Sequence, residues 1–145
     1  MKIECTKKEY EILAQLVYLG EYMINGILMP EDWDKDITKV KNDILSLAKD
    51  HDFIQNVTKD KDDSYNLTAD YESEVMDYVS DYDDECFWQE LPIRLAQRDL
   101  VAEFGESQLE KMSPNEIHDR ETLLLTKYQE ELEENGIMNI GIIAK

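Results

Sequence analysis

The sequence contains few cations. Lys and Arg number 15 against 34 Asp and Glu, which gives a formal net charge of -19 at pH 7. Proteins that bind nucleic acids or anionic membrane surfaces draw affinity from basic side chains, so this deficit argues against direct nucleic-acid binding and against membrane binding. A large acidic excess also occurs in proteins that use it only for solubility. The net charge therefore argues against nucleic acids and anionic membranes as partners but does not identify a partner.

Cysteine and long apolar runs are equally scarce. The two cysteines, Cys5 and Cys86, are far apart and form no Cys-x-x-Cys pair, so we expect two reduced thiols that pack in the protein and no disulfide scaffold. No stretch reaches the roughly 18 apolar residues of a membrane span, and residues 1–8 contain no apolar signal core. These absences predict a cytoplasmic protein.

Catalytic motifs are missing as well. The sequence has no Gly-x-Ser-x-Gly elbow and no phosphate loop, and its two histidines lack the spacing that places two metal ligands on one helix face. Residues 32–36 and 60–64 carry acids like the start of a calcium loop, but Ile37 and Tyr65 occupy the sixth position, where such a loop needs glycine. We therefore predict no catalytic residue, no metal ligand and no cofactor.

Helical periodicity is abundant, and it begins near the N-terminus. Thr6 and Glu9 form a capping box, and apolar residues then recur on almost all sides over residues 10–28. Such a helix is buried on more than one side, either in the centre of a bundle or in a homodimer interface. Gly20 lies on the main stripe, where we expect another backbone to pack closely; a ligand slot walled by Gly20 and Gly26 is the alternative. The main stripe consists of Leu13, Val17, Ile24 and Ile27.

Further helices follow Pro30, which ends the first helix because the residue before a proline avoids the helical region. Lys41 is expected on the outer face of the second helix. A break near residue 83 separates the third helix from a fourth, which Pro92 kinks or delays and which ends at Gly105. The predicted inner stripes are Trp33, Ile37, Val40, Ile44 and Leu47 in the second helix, and Tyr71, Val75, Tyr78 and Tyr82 in the third.

Turn residues and a change of period mark the last helix and the β content. Ser113 opens a second capping box, and Gly136 supplies the matching stop. Residues 53–67 are typical of a short hairpin or a loop. The apolar tail at residues 137–143 is typical of an edge strand, which could lie beside that hairpin. The sequence thus predicts a mainly α, single-domain bundle of four or five helices over residues 1–145, with at most a small β element.

The most unusual feature is a stretch of one-sided charge. Residues 62–90 contain eleven carboxylates and no Lys or Arg. Like charges three or four residues apart weaken a helix by about tenths of a kcal/mol each, so they indicate either a basic partner or cation that relieves the repulsion, or a solvated face. Arg94 and Arg98 follow one turn apart, and they either grip a carboxylate or phosphate or pair with the acidic helix before them. The candidate partner-binding residues are Asp70, Glu74, Asp77, Asp81, Asp84, Arg94 and Arg98.

One segment resembles a known kind of protein. Residues 82–91, Tyr-Asp-Asp-Glu-Cys-Phe-Trp-Gln-Glu-Leu, and residues 94–100, Arg-Leu-Ala-Gln-Arg-Asp-Leu, resemble small acidic bacterial proteins of unknown function. The resemblance covers a limited part of the chain, and Pro92 departs from it. It implies no activity and carries over no functional residue.

The clustered carboxylates support two hypotheses of function. The first is a non-catalytic interaction module whose acidic helix, around residues 70–85, meets a basic protein surface. The second is a divalent-metal-dependent enzyme that uses the same acids. Geometry separates them, because an enzyme needs three or more acids that converge in a cleft, whereas a binding face needs acids that point outward.

Overall fold

Helices dominate the structure, a computed structural model that describes residues 4–141. The predicted mainly α class with a small β element is confirmed. The elements are α1 (Lys7–Asn25), α2 (Lys35–Leu45), β1 (Val57–Lys59), β2 (Tyr65–Leu67), α3 (Ala69–Phe104), α4 (Glu106–Leu109) and α5 (Pro114–Asn135). Single 3-10 turns lie at Pro30–Asp32 and Ile54–Asn56. Among residues 4–141, no helix combines the length and the apolar composition that a membrane span requires.

The chain divides into two compact units, which we call unit 1 (Met1–Asp81) and unit 2 (Tyr82–Lys145). Helix α3 contributes its first turns to unit 1 and the remainder to unit 2. Each unit contains a hydrophobic cluster of its own. One domain over residues 1–145 stays a prediction.

Unit 1 packs α1, α2, the β-hairpin and the start of α3 around an aromatic core. The rings of Tyr10 and Tyr71 both meet Phe53 edge-on, at centroid distances of 5.7 Å and 5.2 Å. Such pairs stabilise a core beyond the area that they bury. The antiparallel hairpin joins this core through Val57 and Leu67, which are paired across the two strands and are both buried. The other buried members are Ala14, Tyr18, Leu45, Ala48 and Val75.

The predicted inner stripe of α1 is wrong in part. Ile24 and Ile27 are 45% and 92% exposed, because α1 ends at Asn25 and Ile27 lies in the turn beyond it. Leu13 and Val17 are half-buried. A homodimer formed through this helix stays a prediction.

Tyrosines occupy the true inner face of α1. Tyr10 and Tyr18 are buried on either side of Ala14. A buried tyrosine needs a partner for its hydroxyl, and both find one: Tyr10 donates to the carbonyl oxygen of Ile44 at 2.8 Å, and Tyr18 donates to Glu72. Because these acceptors lie far away in sequence, periodicity alone favours the neighbouring stripe of hydrocarbon side chains.

Two further predictions for α1 and α2 are wrong. No heavy atom of a neighbouring element lies within 4 Å of the position that a Cβ on Gly20 would take, so no backbone packs closely there. Lys41, expected on the outer face, is 7% exposed, whereas Val40 and Leu47 of the predicted inner stripe are 53% and 43% exposed. The inner face of α2 therefore centres on Lys41 and Leu45.

Helix α3 runs without interruption, so the predicted break near residue 83 is wrong. The apolar phase slips there because the helix serves two cores in turn: Val75 belongs to the core of unit 1 and Ala96 to that of unit 2. Pro92 lies inside the helix, where its missing N–H removes one backbone hydrogen bond without ending the element.

The aromatic stripe predicted for the start of α3 is correct only at its first two positions. Tyr78 and Tyr82 are 62% and 61% exposed, and Val79 is buried instead. The inner row follows every fourth residue, through Tyr71, Val75 and Val79. The two outer tyrosines are thus left on the surface of the helix.

Unit 2 combines the second part of α3 with α4 and α5. Gly105 and Gly136 end α3 and α5 as predicted, at φ values of 71° and 56° in the left-handed region that favours glycine. The capping box of α5 is confirmed, since Ser113 Oγ accepts from the N–H of Glu116 at 3.3 Å while the Glu116 carboxylate accepts from the N–H of Ser113 at 2.9 Å. The buried cluster between α3 and α5 consists of Ala96, Leu100 and Leu124.

The two predictions of β structure have different outcomes. The hairpin within residues 53–67 is confirmed. The tail forms no strand where it is described, because residues 136–139 form a turn and residues 140–141 have no regular structure. Residues 142–143 of the predicted strand lie outside the described residues.

Leu45→Ala should lower the free energy of unfolding by about 2–5 kcal/mol, because truncation of a fully buried leucine leaves a cavity. Leu47→Ala is the matched control, since Leu47 is 43% exposed and the same truncation there should cost about 0.5 kcal/mol. Urea denaturation followed by circular dichroism measures both. Equal losses would mean that the inner face of α2 has been assigned to the wrong residues.

The buried tyrosines should make the protein sensitive to high pH. Burial raises the pKa of Tyr10 from 10.0 to about 12, and burial likewise raises the pKa of Tyr71 to about 12. A group whose pKa is raised by folding stabilises the folded state below its unfolded pKa, and that contribution is lost as the pH rises through the folded value. The free energy of unfolding should therefore fall between pH 10 and about pH 12.

Urea titrations at a series of alkaline pH values test this expectation. Tyr10→Phe should reduce the steepness of the fall, because phenylalanine has no proton to lose. Tyr78→Phe removes a hydroxyl from an exposed tyrosine and serves as the control for the substitution itself. A stability that does not change over this pH range would contradict the burial of the two hydroxyls.

Candidate functional site

The five predicted acids share one face of α3. Their spacing of four and three residues places them in a row along the helix, and all five are exposed. Four of these residues belong to unit 1, whereas Asp84 belongs to unit 2. The four in unit 1, which we call the acidic stripe, are Asp70, Glu74, Asp77 and Asp81.

No cation neutralises the acidic stripe within the described part of the chain. None of its four carboxylates makes an ion pair or a side-chain hydrogen bond there. Several lysines of unit 1 pair with other acids, among them Lys7 with Asp52, Lys39 with Asp43 and Lys59 with Asp63. The stripe therefore keeps its charge unpaired.

Glu72 shows that the acids of α3 are not all alike. Its carboxylate is half-buried and accepts a hydrogen bond from the hydroxyl of Tyr18 on α1. Burial, together with this bond and the nearby negative charge, raises the pKa of Tyr18. Glu72 thus holds α1 against α3, while the stripe points into solvent.

An exposed aromatic ring lies beside the acidic stripe. Tyr78 follows Glu74 by four residues and precedes Asp81 by three, which makes it a helical neighbour of both. It is 62% exposed and makes no hydrogen bond among the described residues. A flat ring next to carboxylates is an arrangement that suits a guanidinium, which stacks on the ring while pairing with an acid.

Arg94 and Arg98 lie in unit 2 and are paired with close neighbours. The Nε of Arg94 is 3.2 Å from the carboxylate of Glu90, one turn earlier. Arg98 contacts the carboxylate of Asp99 at 2.7 Å and donates to the hydroxyl of Tyr128 at 3.1 Å. The acidic stripe belongs to unit 1 and both arginines belong to unit 2, so the predicted site residues divide between the two units.

Asp99 is the centre of the second group. The hydroxyl of Tyr128 donates to it, and this bond, assisted by Arg98, lowers the pKa of Asp99 although burial opposes the change. The bond to Asp99 raises the pKa of Arg98 in turn. The arrangement links α3 to α5 within unit 2 and engages the Nε and one terminal nitrogen of Arg98.

A polar cleft in unit 1 contains a charge that periodicity does not predict. The cleft has a volume of about 670 Å3 and is lined by residues of α1, α2 and the hairpin. Lys41 donates to Asn66 Oδ1 at 2.9 Å, and its Nζ lies 3.8 Å from the carboxylate of Glu21. The two side chains are only 9% and 12% exposed, so this ion pair is nearly removed from water.

Further hydrogen bonds satisfy the pair. Glu21 accepts hydrogen bonds from the hydroxyl of Thr38 at 3.2 Å and from the side-chain amide of Asn25 at 3.3 Å. The side-chain oxygen of Asn25 in turn accepts from the backbone N–H of Asp34 at 2.8 Å. Within the described residues, every buried side-chain nitrogen or oxygen has a hydrogen-bond partner. A buried ion pair needs such partners to offset its desolvation. The network fixes α2 against α1 and the hairpin.

The sequence does contain a signal for Lys41. It lies four residues after Ile37 and four before Leu45, which places it on the same helical face as both. A charge on an otherwise apolar face requires a buried partner. That partner, Glu21, belongs to another helix and cannot be identified from local spacing.

Unit 2 contains an apolar groove between α3 and α5. It has a volume of about 720 Å3. We call it the apolar groove, and it is lined by Trp88, Gln89, Pro92, Ile93, Gln129, Leu132, Glu133 and Gly136. Tryptophan, proline and aliphatic side chains give it an apolar floor with polar groups at the edge.

No family model, curated protein or solved structure matches this chain. The resemblance of residues 82–100 to small acidic bacterial proteins stays an expectation. Among the described residues, no three or more His, Cys, Asp or Glu side chains come together in a group that could hold a metal ion. Function must therefore be argued from the acidic stripe, the polar cleft and the apolar groove.

Lys41→Met should lower the free energy of unfolding by about 3–5 kcal/mol, because it leaves the carboxylate of Glu21 buried without its counter-charge. Lys39→Met is the matched control, since Lys39 pairs with Asp43 at the surface and its loss should cost about 0.5 kcal/mol. Adding Glu21→Gln to Lys41→Met should restore part of the stability, since the unpaired charge is then removed. If Lys41→Met and Lys39→Met prove equally stable, the pair is not buried in solution.

Proposed function

We propose that the protein is a non-catalytic interaction protein that binds a basic protein surface through the acidic stripe of α3. The observation that carries the proposal is the absence of any counter-cation at the four exposed carboxylates within the described residues. Several lysines of unit 1 pair with other acids and no described cation pairs with the stripe, so we assign relief of the repulsion along it to another molecule. The cytoplasm is the compartment proposed for this contact.

The outward direction of the acids supports binding over catalysis. A metal-dependent enzyme needs carboxylates that converge in one cleft. The acids of the stripe instead follow one another along a helix surface and are all exposed. A row of this kind attracts a basic surface from a distance and speeds its approach, with little geometric demand on the partner.

Tyr78 indicates which cation the partner presents. An arginine above an exposed tyrosine ring gains a cation–π contact, and its guanidinium N–H groups can still donate to a carboxylate. Tyr78 is placed for this, between Glu74 and Asp81 on the helix surface. We therefore expect arginine rather than lysine to dominate the complementary surface.

Affinity capture from a cell extract tests the proposal at low and at high salt. The protein should retain basic partners at low salt and release them as salt rises, because charges separated by more than about 8 Å are screened at physiological ionic strength. The combined variant Asp70→Asn, Glu74→Gln, Asp77→Asn and Asp81→Asn should lose these partners.

A matched control removes the same number of charges elsewhere in unit 1. Glu31→Gln, Asp32→Asn, Asp36→Asn and Asp50→Asn alter exposed acids away from the acidic stripe and should leave capture unchanged. Tyr78→Phe keeps the ring and should also retain the partners, whereas Tyr78→Ala should weaken capture. Recovery of the same proteins by the stripe variant and by wild type would overturn the proposal.

A further inference from the structure

The apolar groove of unit 2 exposes hydrophobic surface that residues 4–141 do not cover. Trp88 and Ile93 are 45% and 36% exposed, and Leu132 faces the same space from α5. Its volume of about 720 Å3 lies within the range of sites that bury apolar groups of a ligand. Exposed apolar surface with a polar edge is typical of an interaction site.

Polar groups around this floor have no partner among the described residues. The indole N–H of Trp88, the side-chain amide of Gln129 and the carboxylate of Glu133 make no hydrogen bond there. Pro92 has no N–H, so the carbonyl of Trp88 lacks the donor that any other residue at position 92 would supply. The groove therefore offers donors and acceptors as well as apolar area.

Glu133 is the charged residue among those that line the groove, and acids predominate in the two helix segments that contribute its lining. Residues 83–93 of α3 include four acids, and residues 128–136 of α5 include four more, without a Lys or Arg in either segment. The acids of the α5 segment are Glu130, Glu131, Glu133 and Glu134.

The acids of α5 stand where a helix disfavours them. The C-terminal end of a helix is the negative end of its dipole, so carboxylates there weaken the helix and cations strengthen it. The last turn of α5 contains no basic residue. Glu131 accepts hydrogen bonds from the side chains of Asn135 and Asn139 at this end of the helix. Helix stability does not explain Glu133 and Glu134 of the last turn, whereas attraction of a cationic ligand does.

We propose that the apolar groove binds a basic amphipathic helix of a partner protein. Its apolar side chains would lie on Trp88, Ile93 and Leu132. Its Lys or Arg side chains would face Glu133, which lines the groove, and the neighbouring Glu130 and Glu134 of α5, and we call these three acids the acidic rim. This site lies wholly in unit 2 and does not depend on the acidic stripe of unit 1. Charge complementarity selects the occupant, because a second copy of this chain, with a net charge of -19, is repelled from an acidic rim.

Trp88 provides a direct optical signal for occupancy. The chain has two tryptophans, so Trp33→Phe leaves Trp88 as the single emitter. The probe is a synthetic amphipathic helix of about five turns, built from Leu and Lys. Its addition should shift the emission of Trp88 to shorter wavelength and protect Trp88 from iodide, with a saturable titration curve.

Charge variants show whether the acidic rim selects the probe. Glu130→Gln, Glu133→Gln and Glu134→Gln together should weaken binding about tenfold, and should leave the protein folded because they remove charges that oppose the helix dipole. Glu106→Gln, Glu110→Gln and Asp119→Asn remove the same charge from other exposed parts of unit 2 and should leave the affinity unchanged.

Several results would overturn the proposal. One is equal affinity for a second peptide in which Glu replaces every Lys. Another is equal weakening by the rim variant and by its control, which would reduce the effect to overall charge. Saturable binding with unchanged Trp88 emission would place the peptide elsewhere, and sedimentation of the free protein as a dimer with shielded Trp88 would assign the groove to a second copy.

Discussion

Fifteen cations cannot neutralise 34 carboxylates, and the fold distributes them unequally. Lys41 is placed inside unit 1, where it balances Glu21, and other basic residues pair with acids close to them at the surface. Exposed pairs contribute little to stability, whereas the buried pair is costly to break. Among the acids left without a cation in the described residues are the acidic stripe of α3 and the glutamates Glu130, Glu133 and Glu134 near the end of α5. Both places gain from a cationic partner, and this shared need connects the two proposals without making either depend on the other.

Helix α3 shows how a long element accommodates conflicting demands. Its first turns contribute Tyr71 and Val75 to one core, and its later turns contribute Ala96 and Leu100 to another. A helix that changes its inner face along its length exposes apolar residues where the change occurs, and Tyr78, Tyr82 and Trp88 are the result. Such residues are available for binding because no single core can cover them all.

Much of the fold could be predicted from the sequence because its signals are local. Capping boxes, the glycine stops after α3 and α5, and the hairpin depend on residues within a few positions of one another. The errors arise where distant residues decide. Tyr10 is buried because the carbonyl of Ile44 accepts a hydrogen bond from its hydroxyl. Lys41 is buried because it pairs with Glu21 and donates to Asn66. The four acids of the acidic stripe are exposed, as their helical spacing predicts. The apolar groove instead depends on α3 and α5 lying side by side, which no periodicity reveals.

The network around Lys41 also restricts how this sequence can change over evolutionary time. Replacing Lys41 alone leaves Glu21 buried and unpaired, and replacing Glu21 alone does the same to Lys41. Either single change lowers the free energy of unfolding by about several kcal/mol, which is comparable to the whole stability of many domains. Apolar residues can replace Lys41 and Glu21 only if both positions change nearly together. Asn66 must then change as well, because it loses the hydrogen-bond donor that Lys41 supplies. Positions 21, 41 and 66 should therefore vary as a set among descendants of this chain, while the exposed acids drift one at a time.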